Sequence, residues 1–344
     1  LRTLPQPRPP IASSSNNRKY HALPSESRMF KFFPWTALLF SLIIAILYQS
    51  VESDNAFSDI VFHSSAHLPR ILVLTAHPDD ECMFFAPTIR ALVSRIRTNR
   101  IPMSEPASDP ARLSSEVRVY SLCLSVGDAD GLGSVRRKEL GRSLDVLGID
   151  ESSRWVLDHP DLKDNFTAHW NPATIAEVLY PYVNEQRITT ILTFDDGGIS
   201  GHPNHKSLPE GVRHLLSHQR YAFAAPPPKL FTLVTRSIPA KYTSILAPIW
   251  SKFTLYGIRL LSLEVHVVRI ARGLGIEFSP PISKPVTHDM PPVLVSGVSD
   301  YIAALRAMRE HASQLVWFRW LYVLFSRYMW VNEWVEVPVE PLSV

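Results

Sequence analysis

Short apolar runs alternate with segments of helical periodicity from residue 70 to residue 234, and this alternation constrains the fold more than any other feature. Buried strands are predicted at 71–75, 117–124, 188–194 and 230–234. Helices are predicted at 81–97, 135–147, 173–185 and 205–218. This order predicts an α/β fold, Rossmann-like, with a mainly parallel sheet and helices on both faces. Ligands of such folds bind beyond the carboxyl ends of the strands, so candidate site residues are sought there.

Charge and cysteine content exclude several classes of function. The chain has 35 basic and 32 acidic residues, a net charge of +3, and no stretch that combines aromatics with a dense basic run. We therefore expect no nucleic-acid partner. The two cysteines, Cys82 and Cys123, form no CxxC pair, so neither a disulfide framework nor a thiolate zinc finger is predicted. A metal ion would have to be held by histidine and carboxylate.

An uncharged segment lies between Lys31 and Glu52. About 20 uncharged residues match a hydrocarbon layer of roughly 30 Å at about 1.5 Å per helical residue. The alternative is a cleaved signal peptide, whose apolar region usually has about 7–15 residues and precedes a small-residue cleavage site. We expect a retained transmembrane helix at 32–51.

Composition divides the rest of the chain. The predicted parts are a disordered N-terminal segment 1–31, the anchor 32–51, a linker 52–69, a catalytic domain 70–335 and a tail 336–344. The first methionine is Met29, so we expect residues 1–28 to come from an over-extended gene model. The polar stretch 102–116 is predicted to be a loop inserted in the catalytic domain.

The first chemical motif, His77-Pro-Asp-Asp-Glu81, directly follows the first predicted strand. Zinc accepts both imidazole and carboxylate ligands, at about 2.0–2.2 Å. Neighbouring aspartates need not share a role, because one can bind a metal ion while the other faces the substrate as a base. The alternative is that these acidic residues only cap the following helix.

The second motif, His202-Pro-Asn-His205, follows the strand that ends at Phe194. Residues at i and i+3 share one face of a helix, and proline suits its first turn. One histidine can complete a site of two histidines and one carboxylate, while the other stabilises developing oxyanion charge. Such a pair alone is more often a surface or capping feature. Two histidine turns at strand ends together predict a metal site.

These two motifs resemble those of the PIG-L-type zinc deacetylases. Three further segments resemble the eukaryotic branch of that family: Leu124–Gly133 with the following 136–140, His311–Arg319 and Ser326–Asn332. The resemblance covers about residues 70–332, with gaps at 102–116 and 236–292.

The resemblance implies a role for each motif residue. His77, Asp80 and His205 would bind Zn²⁺ or another divalent metal ion. Asp79 would be the general base. His202 would stabilise the tetrahedral oxyanion and protonate the leaving amine.

The resemblance also implies a reaction, the hydrolytic de-N-acetylation of N-acetylglucosaminyl-phosphatidylinositol. The products would be glucosaminyl-phosphatidylinositol and acetate, in the second step of GPI-anchor biosynthesis. One alternative is a deacetylase of the same fold that acts on another N-acetylglucosamine conjugate. Another is a non-catalytic membrane subunit, against which the five filled motif positions argue.

The implied partners are a glycolipid substrate and the lipid bilayer, in the endoplasmic reticulum membrane. Lys31 before the apolar segment and acidic residues after it would place the main domain in the lumen by the positive-inside rule. The family resemblance implies a single span with the catalytic domain in the cytoplasm, and we adopt that expectation. Asn165-Phe-Thr167 is a glycosylation acceptor only if the domain is luminal.

Several residues carry two interpretations. Arg136 or Arg137 could meet the substrate's phosphate or sugar hydroxyls, or could be a helix-surface arginine paired with Glu139. Asp195 and Asp196 could orient a metal-binding histidine or cap the glycine-rich turn that follows them.

The C-terminal half leaves further alternatives open. His311 and Gln314 could reach the active site or make structural hydrogen bonds. The apolar stretches 246–270 and 317–330 could lie against a bilayer or pack as core helices. Cys82 is expected in the core.

Overall fold

The computed structural model describes residues 26–53, 69–99, 117–218, 221, 223, 226–273 and 291–339. Most of the predicted disordered segment and linker, the insertion 102–116 and residues 340–344 of the tail lie outside these residues. The chain divides into two compact units, Leu1–Ile44 and Ala45–Val344.

The described residues form the following elements. The strands are β1 Val51–Glu52, β2 Arg70–Thr75, β3 Arg118–Cys123, β4 Arg154–Val156, β5 Thr190–Phe194, β6 Lys229–Leu233, β7 Val293–Val295 and β8 Val331–Val337. The helices are α1 Glu26–Tyr48, α2 Asp80–Met83, α3 Ala86–Asn99, α4 Gly133–Leu147, α5 Pro172–Glu185, α6 Gly198–Gly201, α7 Pro203–Ser217, α8 Ile238–Lys241, α9 Leu246–Gly273, α10 Val298–Glu310 and α11 Trp317–Phe325. Short 3-10 turns occur at Asp128–Asp130, Glu151–Ser153 and Arg327–Met329.

The strands form one mixed sheet in the order β1-β7-β8-β6-β5-β2-β3-β4. The five strands from β6 to β4 run parallel to one another, which agrees with the predicted mainly parallel sheet, although β4 itself was not predicted. At the other side β8, β7 and β1 pair antiparallel, and the sequence pattern did not predict these strands. Parallel sheets commonly carry antiparallel strands at an edge, because such a strand needs no crossover helix to its neighbour.

Helices cover the parallel strands in two layers. The first layer contains α3, α4 and α10, and the second contains α5 packed on α7. The crossovers from β2 to β4 run in one direction along the sheet and those from β4 to β6 run back, so right-handed connections place the layers on opposite faces. Both faces of β2 and β5 are therefore buried, which explains their continuous apolar runs.

The predicted strands and helices agree with the observed ones within two residues, with one correction. The helix predicted at 81–97 is wrong, because it is broken into α2 and α3 at Phe84 and Phe85. Both rings are buried against Phe194, at centroid distances of 5.4 and 4.9 Å. Pro87 then suits the first turn of a new helix.

The predicted span 32–51 falls mostly within α1, where Leu38, Leu39, Phe40 and Leu42 are more than half exposed. In the ranges that the structure describes, no helix combines the length and apolarity needed to cross a bilayer. The prediction of a transmembrane helix therefore has no support from the structure.

Candidate active site

The two histidine motifs meet at the carboxyl ends of adjacent parallel strands. The first motif follows β2 and the second follows β5, and these strands pair in register, with Val73 opposite Leu192. From β2 the chain crosses to β3, and from β5 it crosses to β6 on the other side. Such a reversal opens a crevice at the strand ends, which is where α/β folds bind ligands.

The three predicted metal ligands bring their donor atoms together. His77 Nδ1 lies 3.3 Å from His205 Nε2, and Asp80 Oδ1 lies 3.2 Å from the same nitrogen. Asp80 Oδ2 is 3.9 Å from His77 Nδ1. Ligand atoms on a tetrahedral zinc ion with bonds of about 2.0–2.1 Å are about 3.3 Å apart. The spacing of these donors therefore fits a metal ion.

Hydrogen-bond partners fix the tautomers of the two candidate histidine ligands. His77 Nε2 lies 3.2 Å from Asp164 Oδ1 and 3.1 Å from Asn204 Oδ1, so its proton belongs on Nε2. His205 Nδ1 lies 3.1 Å from the carbonyl of Gly198, so its proton belongs on Nδ1. These assignments follow from the partners and leave both lone pairs directed into the cluster. Metal-binding histidines usually donate their second N–H in this way.

The charges around His77 favour a cation. Burial lowers the pKa of His77, but the carboxylates of Asp164 and Asp80 outweigh that effect and hold it above its ordinary value. A pocket that stabilises positive charge on an imidazole would also stabilise a metal cation at the same place.

Asp80 closes the turn after β2. Its Oδ2 accepts backbone N–H groups from Ala76 at 3.0 Å and His77 at 2.9 Å. Burial raises the pKa of Asp80, yet the attraction of His205 and His77 outweighs it and keeps the pKa below its usual range. Asp80 is therefore an ionised carboxylate whose second oxygen faces the histidines.

His202 lies beside the cluster with a different tautomer. One of its ring nitrogens falls within 4.8 Å of a ring nitrogen of His77 and of His205. However, Nδ1 accepts the backbone N–H of Asn204 at 3.2 Å, so the neutral ring carries its proton on Nε2. Burial and the two neighbouring imidazoles lower the pKa of His202 to about 4. A neutral N–H donor agrees better with the predicted oxyanion role than with metal binding.

Asp79 occupies a strained turn. Its φ of 107° lies in the left-handed region, which is unusual for a residue with a side chain. The backbone N–H donates to Glu81 Oε2 at 3.0 Å, and the side chain makes no capping hydrogen bond to α2. Its Oδ2 lies 2.9 Å from Arg319 Nη1. Burial raises the pKa of Asp79, and Arg319 opposes that rise.

Arg136 is buried and engaged by protein groups. It donates to the carbonyls of Gly127 and Pro78, each at 2.8 Å, and lies 3.4 Å from Asp164 Oδ2 and 3.8 Å from Asp79 Oδ2. Gly127 has a φ of 67°, and a Cβ atom there would lie 2.4 Å from the guanidinium carbon. Arg136 thus ties the loops after β2 and β3 together.

The alternative pairing of these arginines with Glu139 is wrong. Glu139 accepts hydrogen bonds from the backbone and hydroxyl of Ser313, at 2.8 and 2.6 Å. Arg137 is exposed and donates to the carbonyl of Val156 at 2.9 Å. Substrate binding by Arg136 or Arg137 stays a prediction.

The aspartates after β5 organise the glycine turn. Asp195 accepts N–H groups from Gly197, Gly198 and Thr235, at 3.0, 3.1 and 2.6 Å. Asp196 pairs with Arg213 at 2.6 Å on the surface. Asp195 therefore caps the turn whose Gly198 carbonyl holds His205, and acts on that histidine only through the backbone.

A second group of potential ligands, Glu81, Cys82 and His311, lies behind the turn of Asp79 and is fully buried. Glu81 Oε1 lies 2.7 Å from His311 Nε2 and accepts the hydroxyl of Ser143 at 2.5 Å. Burial raises the pKa of the Cys82 thiol well above its usual value, so no thiolate is available. His311 therefore makes a structural hydrogen bond, and Cys82 belongs to the core as predicted.

Three residues of the site were not among the predicted ones. Asp164 contacts His77, Arg136 and His202 from the loop after β4, and no motif marks it. Asn204 lies inside the second motif, and Arg319 lies inside the C-terminal segment that resembles the eukaryotic branch. The sequence singled out these two segments without assigning either residue a role.

Several known proteins resemble this chain. The family model PIG-L, described as GlcNAc-PI de-N-acetylase, matches residues 72–216. A probable N-acetylglucosaminyl-phosphatidylinositol de-N-acetylase of Schizosaccharomyces pombe is 32% identical, over 86% of this chain and 95% of that protein. The Bos taurus protein named N-acetylglucosaminyl-phosphatidylinositol de-N-acetylase is 35% identical, over 76% of this chain and 81% of its own length. The solved N,N'-diacetylchitobiose deacetylase of Pyrococcus horikoshii is 13% identical with a TM-score of 0.43, covering 93% of this chain and 95% of that one.

Proposed function

This chain belongs to the PIG-L family of GlcNAc-PI de-N-acetylases, and we propose that it hydrolyses the acetamide of N-acetylglucosaminyl-phosphatidylinositol. The products are glucosaminyl-phosphatidylinositol and acetate, as in the second step of GPI-anchor biosynthesis. One observation carries the proposal: the donor atoms of His77, Asp80 and His205 converge beside the buried carboxylate of Asp79.

We propose that His77, Asp80 and His205 hold a divalent metal ion, with Zn²⁺ as the first candidate. Their two imidazoles and one carboxylate are the donor set of many catalytic zinc sites. When bound, such an ion polarises the amide carbonyl and lowers the pKa of water. The support is the tautomer of each histidine, which leaves a lone pair for the ion.

The chain's own residues would handle the protons. Asp79 accepts a proton from the attacking water, and Arg319 and the strained turn hold its carboxylate in place. His202 donates Nε2–H to the amide oxygen as negative charge develops there. As the C–N bond breaks, the proton taken by Asp79 passes to the leaving amine, and the acetyl group leaves as acetate. This replaces the expectation that His202 protonates the amine, because the pKa of His202 is lowered to about 4.

We further propose attachment to the endoplasmic reticulum membrane through residues 32–51, as a single span with the catalytic domain in the cytoplasm. The support is the absence of charge between Lys31 and Glu52 and the lipid nature of the substrate. Asn165 lies on the surface in a glycosylation acceptor. An endoglycosidase-sensitive shift of the full chain, lost in Asn165→Gln, would overturn the cytoplasmic placement.

The test of function is acetate release from N-acetylglucosaminyl-phosphatidylinositol by membranes that contain the full chain. We expect turnover that stops after chelation, returns with Zn²⁺ and is absent in Asp79→Asn. N-acetylglucosaminyl-inositol without lipid is the comparison substrate. Turnover of that compound alone would show that the substrate class is wrong, and equal turnover by Asp79→Asn would remove Asp79 from the mechanism.

A further inference from the structure

The first half of α9 exposes an apolar stripe. Leu246, Trp250, Phe253 and Leu260 are 65%, 75%, 71% and 68% exposed. Their spacing places them on one face of the helix. The opposite face of the helix, which includes Lys252 and Leu255, is buried against the domain. A surface helix in water normally presents polar residues on its outer face, so this stripe calls for a partner.

Helix α11 exposes a second apolar face beside it. The exposed side chains are Trp317, Phe318, Trp320, Leu321, Leu324 and Phe325. The segment that precedes α9 is bonded to the end of α11, because Ser244 donates its N–H to the carbonyl of Phe325 at 2.9 Å and its hydroxyl to that of Leu324 at 2.6 Å. We call the exposed apolar residues of α9 and α11 together the aromatic surface.

The helices that carry the aromatic surface have basic and no acidic side chains in the residues that form it, and the neighbouring Glu333, which lines a cavity with Trp250, is paired with Arg236 and Arg327. No Asp or Glu occurs between Glu210 and Glu264 or between Glu310 and Glu333, so α8, α11 and residues 246–260 of α9 carry no negative side chain. Lys241, Arg259 and Arg319 are basic members of these helices. Exposed tryptophans on helices that carry basic and no acidic side chains are typical of helices that lie in the interface of an anionic membrane.

Helix α11 also reaches the active site. Arg319 points inward, with Nη1 2.9 Å from Asp79 Oδ2, and the ring of Tyr322 packs on Phe84 at a centroid distance of 5.7 Å. The same nine-residue helix therefore presents aromatics outward and touches the candidate base inward. A lipid whose chains remain beside α11 would have its headgroup close to Asp79.

The last residues of the N-terminal apolar segment, which belong to the unit Ala45–Val344, contact α9. The ammonium group of the buried Lys252 donates to the carbonyls of Ile46, Leu47 and Gln49, at 3.0, 3.2 and 2.5 Å. A cation commonly satisfies the free carbonyls at a helix end in this way. The helix that carries the apolar stripe thus also holds the end of α1.

We propose that the aromatic surface is seated in the interfacial layer of a lipid bilayer, so that the glycolipid reaches Asp79 without leaving the membrane. The occupant is the anionic bilayer that contains the substrate, and the part that concerns the substrate rests on the proposed function.

Site-specific labelling tests the surface without any assay of activity. Both native cysteines are buried, so a cysteine introduced on the surface can be labelled selectively. Full-length Trp250→Cys and Trp317→Cys, labelled with a polarity-sensitive fluorophore, are placed in vesicles of phosphatidylcholine and phosphatidylinositol. The matched control is Ile302→Cys on α10, where the native side chain is 40% exposed.

We expect blue-shifted emission and protection from aqueous iodide at positions 250 and 317, with full quenching at position 302. Quenching at 250 and 317 equal to that at 302 would overturn the proposal. The proposal would also be overturned if the labels were protected from iodide in native membranes but not in vesicles that contain no other protein. A protein partner would then cover the surface.

Kinetics test the consequence for the substrate. In Trp250→Ser/Phe253→Ser we expect kcat/KM for the glycolipid in vesicles to fall about tenfold or more, because interfacial binding scales with buried apolar area. The deacylated, water-soluble headgroup should be hydrolysed as by the wild type, and Ile302→Ser should change neither. An equal loss on both substrates would show damage to the active site and contradict the proposal. If the wild type hydrolyses neither substrate, the proposed function fails, while the fluorescence result still decides the membrane surface.

Discussion

The guanidinium of Arg319 lies 2.9 Å from the carboxylate of Asp79, although the two residues belong to opposite ends of the catalytic region. Asp79 stands in a left-handed turn, is buried, and is held by its own backbone bond to Glu81. Strain of this kind persists only where the surroundings over-determine the conformation, and it concentrates at functional sites.

The strain at Asp79 predicts an unusual order of stability among its variants. Glycine adopts a φ of 107° freely, whereas alanine does not. We therefore expect Asp79→Gly to exceed Asp79→Ala in free energy of unfolding by about 1 kcal/mol or more, with both inactive. Denaturant titration measures the difference. Equal stability of the two would mean that the turn is not strained.

Removing a candidate ligand should remove the metal. His77→Ala and His205→Ala should each lose stoichiometric zinc after dialysis, together with acetate release, because two ligands hold the ion poorly. His159→Ala, on the loop after β4, where the half-buried imidazole accepts the backbone N–H of Asp161, should keep both. Elemental analysis of each purified variant measures its zinc content. Full zinc occupancy in either ligand variant would disprove that assignment.

Asp164 should act through His77. Asp164→Asn weakens the partner of His77 Nε2, so we expect metal affinity to fall about 10–100-fold. Added zinc should then restore most of the lost activity. Asp158→Asn, which disturbs only the exposed pair with Lys163, is the control. Activity that stays low at saturating zinc would place Asp164 in the reaction itself.

The buried pair of Glu81 and His311 should matter far more for folding than an exposed pair. His311→Ala leaves the Glu81 carboxylate buried without its charged partner, which should cost about 3–5 kcal/mol. Arg142→Ala breaks the exposed pair with Glu310 and should cost at most about 1 kcal/mol. Denaturant titration measures the free energy of unfolding of both variants. Similar losses in the two would contradict the assignment of His311 as a structural residue.

Lys252 should make stability depend on alkaline pH. Burial lowers the pKa of Lys252 to about 8, with Asp300 opposing, whereas an unfolded lysine titrates near about 10.4. Between these values the unfolded chain binds more protons, so stability rises with pH. The free energy of unfolding of the wild type relative to Lys252→Met should therefore increase from about pH 8 to about pH 10. A constant difference across this range would show that Lys252 keeps its ordinary pKa when folded.

Local sequence pattern was enough to predict the parallel strands β2, β3, β5 and β6 and the two motifs. Strands β2 and β5 are covered on both faces, so their own apolar residues reveal them. The edge strands β1 and β4, and β7 beside β1, have two or three residues each, too few to show any period. The helix break at Phe84 and Phe85 depends on their contacts with Phe194. Residues near 84 and 85 in the sequence give no sign of these contacts.

The sequence by itself determined that histidines and carboxylates stand at the ends of two strands, because the residues of a turn are contiguous in the chain. Only the tertiary structure decided which lone pairs face inward, since Asp164, Asn204 and Gly198 set the tautomers of His77 and His205. It also brought Arg319 to Asp79, a contact between residues far apart in the chain. Such contacts depend on how helices and loops pack in space, and no period or spacing along the sequence records that packing.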